Sequence, residues 1–259
     1  MTYGEILTIL RRFAPEDTAL EDDPIGLLIE PAQHPVRSLI VCLDATEYVV
    51  QKARDEAAEL IVAHHPLIFK PLKRLESANP VSAAALALVR SGIGLYAYHT
   101  NWDTADGGIN DTLADLLGLR DSNRLQGTPE ARIVRVGQLA KPMTAEAFLT
   151  HVGDVLKCDR TSTLRYAAPC GDRREIRTVA VCGGAGAGLV GDAIKAGADA
   201  FVTADVRHHE FIDAASRGLL LIDAGHEATE APGMQKLSRT LSAQLAGVFV
   251  QFCPNWPPR

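Results

Sequence analysis

Short apolar runs alternate with segments of helical spacing along most of the chain, the pattern of an α/β protein with largely parallel sheet. Ser38–Leu43 (SLIVCL) and Leu60–Ala63 (LIVA) read as buried strands, with a helix over Thr46–Ala58 between them. Asn79 and Pro80 supply an N-cap and a first-turn proline for a helix reaching about Arg90, and Gly94–Tyr98 is the next strand. Beyond it come a short amphipathic helix (Asn110–Leu117), a strand (Arg132–Leu139) and a helix (Ala145–Lys157). Cys158–Arg177, with its charges and a Pro-Cys-Gly-Asp turn, is the least regular stretch. Strands at Thr178–Cys182, Ala200–Thr203 and Leu219–Ile222 then alternate with helices at Leu189–Ala196 and from about His208. A helix over Glu230–Leu245, opened by Thr229 and Pro232, and a strand over Gly247–Phe252 end the pattern. The N-terminal MTYGEILTILRRF reads as an amphipathic helix, not a secretory signal: its arginines follow the apolar positions and no small-residue cleavage pattern appears.

The two halves echo each other. IVCLD, a helix ending in AAE and LIVAHH in the first half correspond to VAVCGG, a helix ending in AGAD and AFVTAD in the second. Each half then carries a further strand that ends in histidine, at His99 and at His226. The expected architecture is two similar α/β lobes related by a diverged internal repeat, with a site at the strand carboxyl ends between them. Residues 1–125, completed by 226–259, form the first lobe, and 126–225 the second.

Composition narrows the class. Hydrophobic residues at 47% and charged residues at 22% are those of a soluble globular protein. A net charge of −6 without a long basic block argues against a broad nucleic-acid binder, and no apolar stretch is long enough to span a membrane. The five cysteines form no CxxC pair, and their odd count points to a reducing compartment, hence the cytoplasm.

The chemistry lies where the apolar runs stop. Open α/β sheets bind ligands outside the carboxyl ends of their strands. There stand His64 and His65 after LIVA, His99 and Asp103 after LYAY, Asp205 with His208 and His209 after AFVT, and His226 with Glu230 after LLLIDAG. Six of the eight histidines occupy these places, leaving His34 and His151 as surface residues. Singly, each is explained as well by a hydrogen-bonding loop residue; together, imidazoles and carboxylates are the donor types of a metal site. Three neutral imidazoles (His64, His65, His226) and two carboxylates (Asp103, Glu230) over-supply one divalent ion. With two ions the set keeps a net positive charge that favours an anionic substrate and hydrolytic chemistry. Zinc, iron, manganese and nickel all suit these donors. Pro66 stiffens the turn that presents the histidine pair, and Glu230 is expected at a helix N-terminus, where the dipole favours its charged form. Gly186 to Gly191 fits GxGxxG, with Asp205 at dinucleotide-fingerprint distance. Glycine-rich turns are common in α/β lobes, so the stretch is read at most as a phosphate contact through Gly186 and Gly188, with Asp205 as a further substrate contact.

AHHPLIF, YHTNWDTADGGIN, VTADVRHHEF and AGHEATE, in that order, resemble the successive signatures of the Nif-three-like family, dinuclear-metal proteins often named GTP cyclohydrolase I type 2 homologs. The resemblance runs from about Asp23 to Leu245 and implies a two-lobed α/β fold, two divalent ions facing an internal cavity and a ring-shaped homohexamer. Carried over by motif, the ligands are His64, His65, Asp103, His226 and Glu230, with His99 and His209 as neighbouring or proton-transfer groups. The resemblance further implies a cyclohydrolase-like hydrolase that activates a water bridging the metals and acts on an anionic small molecule such as a guanine nucleotide. The competing expectation is a non-catalytic metal-binding assembly or regulatory protein. Two departures stand out. The N-terminal family motif loses its Trp and Asn in Asp22-Asp23-Pro24-Ile25-Gly26-Leu27, which leaves that loop's role open, and Ala204 replaces a common glycine. At this length there is no room for the extra domain of longer members.

Overall fold

The computed structural model describes residues 1–32, 35–158, 164–171 and 175–257. His34, expected at the surface, lies outside them, as does part of the irregular stretch after Cys158. The chain forms two compact units, one of residues 1–106 and 234–259, the other of residues 107–233. The expected boundaries at 125/126 and 225/226 differ from this division because the strand Leu119–Arg124 pairs with Arg135–Met143 of the second sheet, and because the division falls inside the helix His226–Gln244 rather than before it.

The first unit opens with helix α1 (Tyr3–Phe13), closed at its N-terminus by a Thr2–Glu5 capping box. Its sheet is built from β1 (Gly26–Ile29), β2 (Ser38–Cys42), β3 (Leu60–Ala63), β4 (Gly94–Ala97) and β11 (Phe249–Phe252). In space the order is β1-β4-β3-β2-β11. β2, β3 and β4 are parallel, joined by α2 (Glu47–Asp55) and α3 (Pro80–Ser91), while β1 caps β4 antiparallel and β11 adds parallel to β2. Every residue of β3 and β4 is buried, as continuous apolar runs covered on both faces require. The Asn79 side chain accepts from the Ser82 amide with Pro80 in the first turn, and Gly92 ends α3 in the left-handed conformation, so α3 starts and stops where its sequence directs.

The second unit contains α5 (Ile109–Leu116), β5 (Leu119–Arg124), β6 (Arg135–Met143), α6 (Ala145–Leu156), β7 (Arg165–Ala167) and β8 (Ile176–Val181). It continues with α7 (Val190–Lys195), β9 (Ala200–Thr203), α8 (His208–Ser216) and β10 (Leu220–Asp223). Sheet order is β5-β6-β8-β9-β10-β7. Again three parallel strands, β8, β9 and β10, form the centre, with β7 antiparallel on β10 and β6 antiparallel on β8. Each unit therefore repeats one plan: a β-α-β-α-β core whose last strand is covered by an antiparallel edge strand from earlier in the unit. The first sheet is largely parallel, with β1 its one antiparallel strand, whereas the second is mixed, because β5, β6 and β7 pair antiparallel. Among the described residues no helix is long and apolar enough to cross a membrane.

Helix α9 (His226–Gln244) starts four residues before the expected Glu230. The Thr229 amide already bonds to the Gly225 carbonyl, and its hydroxyl donates to the His226 carbonyl. Pro232 is therefore inside the helix, where it costs one backbone hydrogen bond without ending it. Glu230 stands in the second turn, away from the exposed amides of the N-terminus.

Candidate metal-binding sites

In the first unit, the carboxyl ends of adjacent parallel strands bring three imidazoles together. The amides of His64 and His65 still bond to the Cys42 and Leu43 carbonyls, so both residues extend the ladder past β3, and the Tyr98 amide bonds to the Ala63 carbonyl beside them. His99 immediately precedes α4 (Thr100–Thr104), whose first turn carries Asp103. The ring centroids lie 4.9 Å apart for His64 and His65, 5.2 Å for His64 and His99, and 5.7 Å for His65 and His99. One ligand nitrogen from each comes within 4.8 Å of the others. Asp103, 6% exposed, has Oδ1 3.6 Å from Nε2 of the fully buried His64.

Each ring is held from behind. His64 Nδ1 faces the Tyr98 carbonyl at 2.9 Å, His65 Nδ1 faces Asp44 Oδ1 at 2.8 Å and His99 Nδ1 faces Asp23 Oδ1 at 2.8 Å. A carbonyl or carboxylate only accepts, so each Nδ1 carries the proton, and in the neutral ring Nε2 keeps the lone pair. That arrangement orients histidine ligands in metal sites. Asp44 is itself fixed by the tail: the Asn255 amide group donates to Asp44 Oδ2 at 2.6 Å, and the Asp44 amide donates to Asn255 Oδ1. Asp23 accepts from the Thr100 amide at 3.1 Å and from its hydroxyl. Burial alone would raise the Asp23 carboxyl, but the hydrogen bonds from His99 and Thr100 outweigh it and pull the group below the usual carboxylate range. The altered Asp22–Leu27 loop thus supplies the carboxylate that sets His99.

In the second unit His226 and Glu230 lie one helical turn apart on α9, with Nε2 3.0 Å from Glu230 Oε2. Asp205 Oδ2 accepts from His226 Nδ1 at 2.6 Å, so this fourth histidine has the same tautomer as the other three. A lone pair on Nε2 then confronts the carboxylate, and a proton or a cation is what reconciles them. Glu230 is only 3% exposed, and a carboxylate that deep is stable only with a compensating positive charge. The loop after β8 makes space for it. Gly184 (φ +62°) approaches so closely that a β-carbon there would lie 2.1 Å from Glu230 Oε1 and 3.1 Å from His226 Nε2.

The remaining candidates fall elsewhere. His208 and His209 are exposed in the first turn of α8 and take no part in holding His226. The Gly186 amide donates to Thr203 Oγ1 at 2.9 Å, and a β-carbon at Gly186 would collide with Thr203 and Cys182. That glycine is explained by close packing of the turn against β9. Gly188 lies in open space near α7, a helix of only six residues. Asp205, read as a substrate contact, accepts from His226 Nδ1. His151 is half-buried, its Nε2 on the Leu117 carbonyl. The sequence reading missed Asp44, Asn255 and the role of Asp23. For Asp44 a signal existed, since it follows the apolar run of β2 just as the histidines follow β3 and β4.

The model of the Duf34/NIF3 (NGG1p interacting factor 3) family matches residues 1–255. The chain belongs to that family. It is 33% identical over 249 residues to a Clostridium perfringens GTP cyclohydrolase 1 type 2 homolog, covering 95% of this chain and 93% of the relative. A protein of the same name from a Nostoc species is 35% identical over 244 residues, with 93% and 91% coverage. Among solved structures, a Bacillus cereus protein related to NIF3 superposes with a TM-score of 0.86 at 25% identity, covering 96% of each chain. The Duf34/NIF3 assignment agrees with the two-unit α/β architecture.

Proposed function

We propose that the protein is a hydrolase dependent on two divalent metal ions, with His64, His65, Asp103, His226 and Glu230 as the ligands. The observation that carries this reading is the shared tautomer: four histidines at strand ends each give Nδ1–H to an oxygen and keep Nε2 for a ligand. Bland loop histidines have no reason to agree in this way. Imidazole and carboxylate donors fit zinc, iron, manganese or nickel better than magnesium or calcium, which prefer oxygen. When bound, such ions supply Lewis-acid polarisation and water activation.

The chain's own residues do the rest. Asp44, Asp23 and Asp205 fix ring orientation, the buried carboxylates of Asp103 and Glu230 balance positive charge, and Gly184 leaves the room that Glu230 occupies. The relatives' name makes GTP the first substrate to try, and the family resemblance adds a homohexamer as the expected assembly. Hydrolysis of a nucleotide panel by wild-type protein, His65→Ala and Glu230→Gln, alongside oligomer mass, tests the proposal. Turnover that needs both residues while the oligomer stays intact supports it. No turnover at full metal loading, with an oligomer that dissociates on chelation, would replace it by a structural metal role.

A further inference from the structure

We infer that the first unit carries a small-molecule site of its own, a recess between α2 and α3 that takes a flat, two-ring nitrogen heteroaromatic acid. The inference goes beyond the proposed hydrolase and needs no metal ion.

The recess measures about 700 Å³, inside the range of roughly 300–1,000 Å³ typical of ligand pockets, and every residue lining it belongs to the first unit. It exists because α3 is built from small residues. Ala83, Ala84 and Ala87 line it where longer side chains would fill the gap, and Val50, Leu67 and Val81 give it apolar walls.

The polar groups lie along one stripe of α2. Glu47, Gln51 and Arg54 are exposed and spaced by four and three residues, so they share a helix face at the recess. The Arg54 guanidinium lies 3.4 Å from Gln51 Oε1. Glu47 and Arg54 are two turns apart, about 10 Å along the axis. A carboxylate only accepts and a guanidinium only donates, so the matching ligand presents a ring N–H at one end and an acid at the other. Asp44 borders the recess too, with its carboxylate bonded to His65 Nδ1 and to the Asn255 amide group. Together with Glu47 it repels an acid from that end and directs it to Arg54.

Trp256 supplies the flat face. The tail in front of it is anchored: the Cys253 amide bonds to the Val41 carbonyl at 2.8 Å, and the Asn255 carbonyl accepts from the Thr46 hydroxyl at 2.9 Å. Asn255 is 6% exposed, whereas the next residue, Trp256, is 65% exposed although it lines the recess. A fixed backbone therefore holds an indole mostly in water. A ring stacked on it removes that surface from water and adds the aromatic contact.

The test uses the full chain stripped of metal and benzimidazole-5-carboxylate as probe, followed by calorimetry and by fluorine NMR of protein labelled with 5-fluorotryptophan. The chain has two tryptophans, and the buried Trp102 serves as the internal reference. One probe per chain is expected, with the Trp256 resonance shifted and that of Trp102 unmoved. Trp256→Ala, a surface change, weakens binding by about 5–100-fold, the usual cost of losing a stacking partner. Arg54→Gln weakens it by about 10-fold or more. Cyclohexanecarboxylate, which has the charge without the flat face, and benzimidazole, which has the face without the charge, each bind more weakly than the probe. Reloading the metals leaves the affinity unchanged. Binding that appears only with metal present puts the carboxylate on the ions and overturns the inference, as does equal binding of cyclohexanecarboxylate or indifference to Trp256→Ala. A Trp256→Ala protein of lower oligomer mass gives the recess to a second copy of the chain, which also overturns it. None of these results bears on whether the chain hydrolyses nucleotides, which the His65→Ala and Glu230→Gln assays decide separately.

Discussion

At the scale of single residues, the informative atoms are those behind the histidines. Asp205 touches no expected ligand position except through His226 Nδ1. Asp205→Ala should therefore weaken metal binding at the second donor set by about 10–100-fold, the usual cost of losing such a partner, in a competition titration with a chromophoric chelator. Unchanged affinity would make Asp205 a surface residue with an incidental contact. Gly184→Ala tests the space around Glu230. The new β-carbon meets a buried carboxylate at 2.1 Å on a left-handed backbone, so a loss of about 1–3 kcal/mol is expected from a shift of the denaturant midpoint, together with loss of metal at His226. The candidate ligands could be picked out in the sequence because each follows an apolar strand. Their partners were harder to read: Asp23 is 76 residues from His99 and Asn255 is 211 from Asp44, and only tertiary pairing reveals such contacts.

At the scale of elements, reading worked where burial on both faces imposed long apolar character. Leu60–Ala63 and Ala200–Thr203 coincide with β3 and β9, and Asn79-Pro80 marks the start of α3. The cap is testable. Asn79→Ala removes the acceptor for the Ser82 amide and should cost about 0.5–2 kcal/mol, read from chemical denaturation, while leaving metal affinity unchanged. Reading failed at three of the four sheet edges, β1, β5 and β7. β5 has the polar sequence LRDSNR and β7 is three residues long, so neither offers a run of apolar residues, and the short apolar run of β1 (GLLI) follows a Pro-rich, acidic loop that reads as irregular. These strands are defined by their partners: β7 exists because β10 offers Leu221, Ile222 and Asp223 for pairing. The start of α9 was obscured for a related reason, since Pro232 and Thr229 look like opening signals although the helix is already under way at His226.

At the scale of the whole molecule, the repeated β-α-β-α-β plan explains why the echo in the sequence was detectable and why it was imperfect. The parallel cores recur, whereas loops and edges have diverged. Each unit ends its central strands in histidine and acid, so a duplicated sheet provides donors twice. Metal should then contribute to folding stability as any ligand of the native state does. At a free concentration one hundred times its dissociation constant, each ion adds about 2.7 kcal/mol. Dialysis against a chelator should accordingly lower the thermal midpoint, and readdition of zinc or manganese should restore it; a melting curve indifferent to chelation would separate metal from the fold. The most direct test of the central claim is elemental stoichiometry. Protein purified without a metal-affinity tag, reloaded with a transition metal and freed of excess ion, should contain two ions per chain by mass spectrometry. A plateau at one ion per chain, or none, would contradict a dinuclear centre.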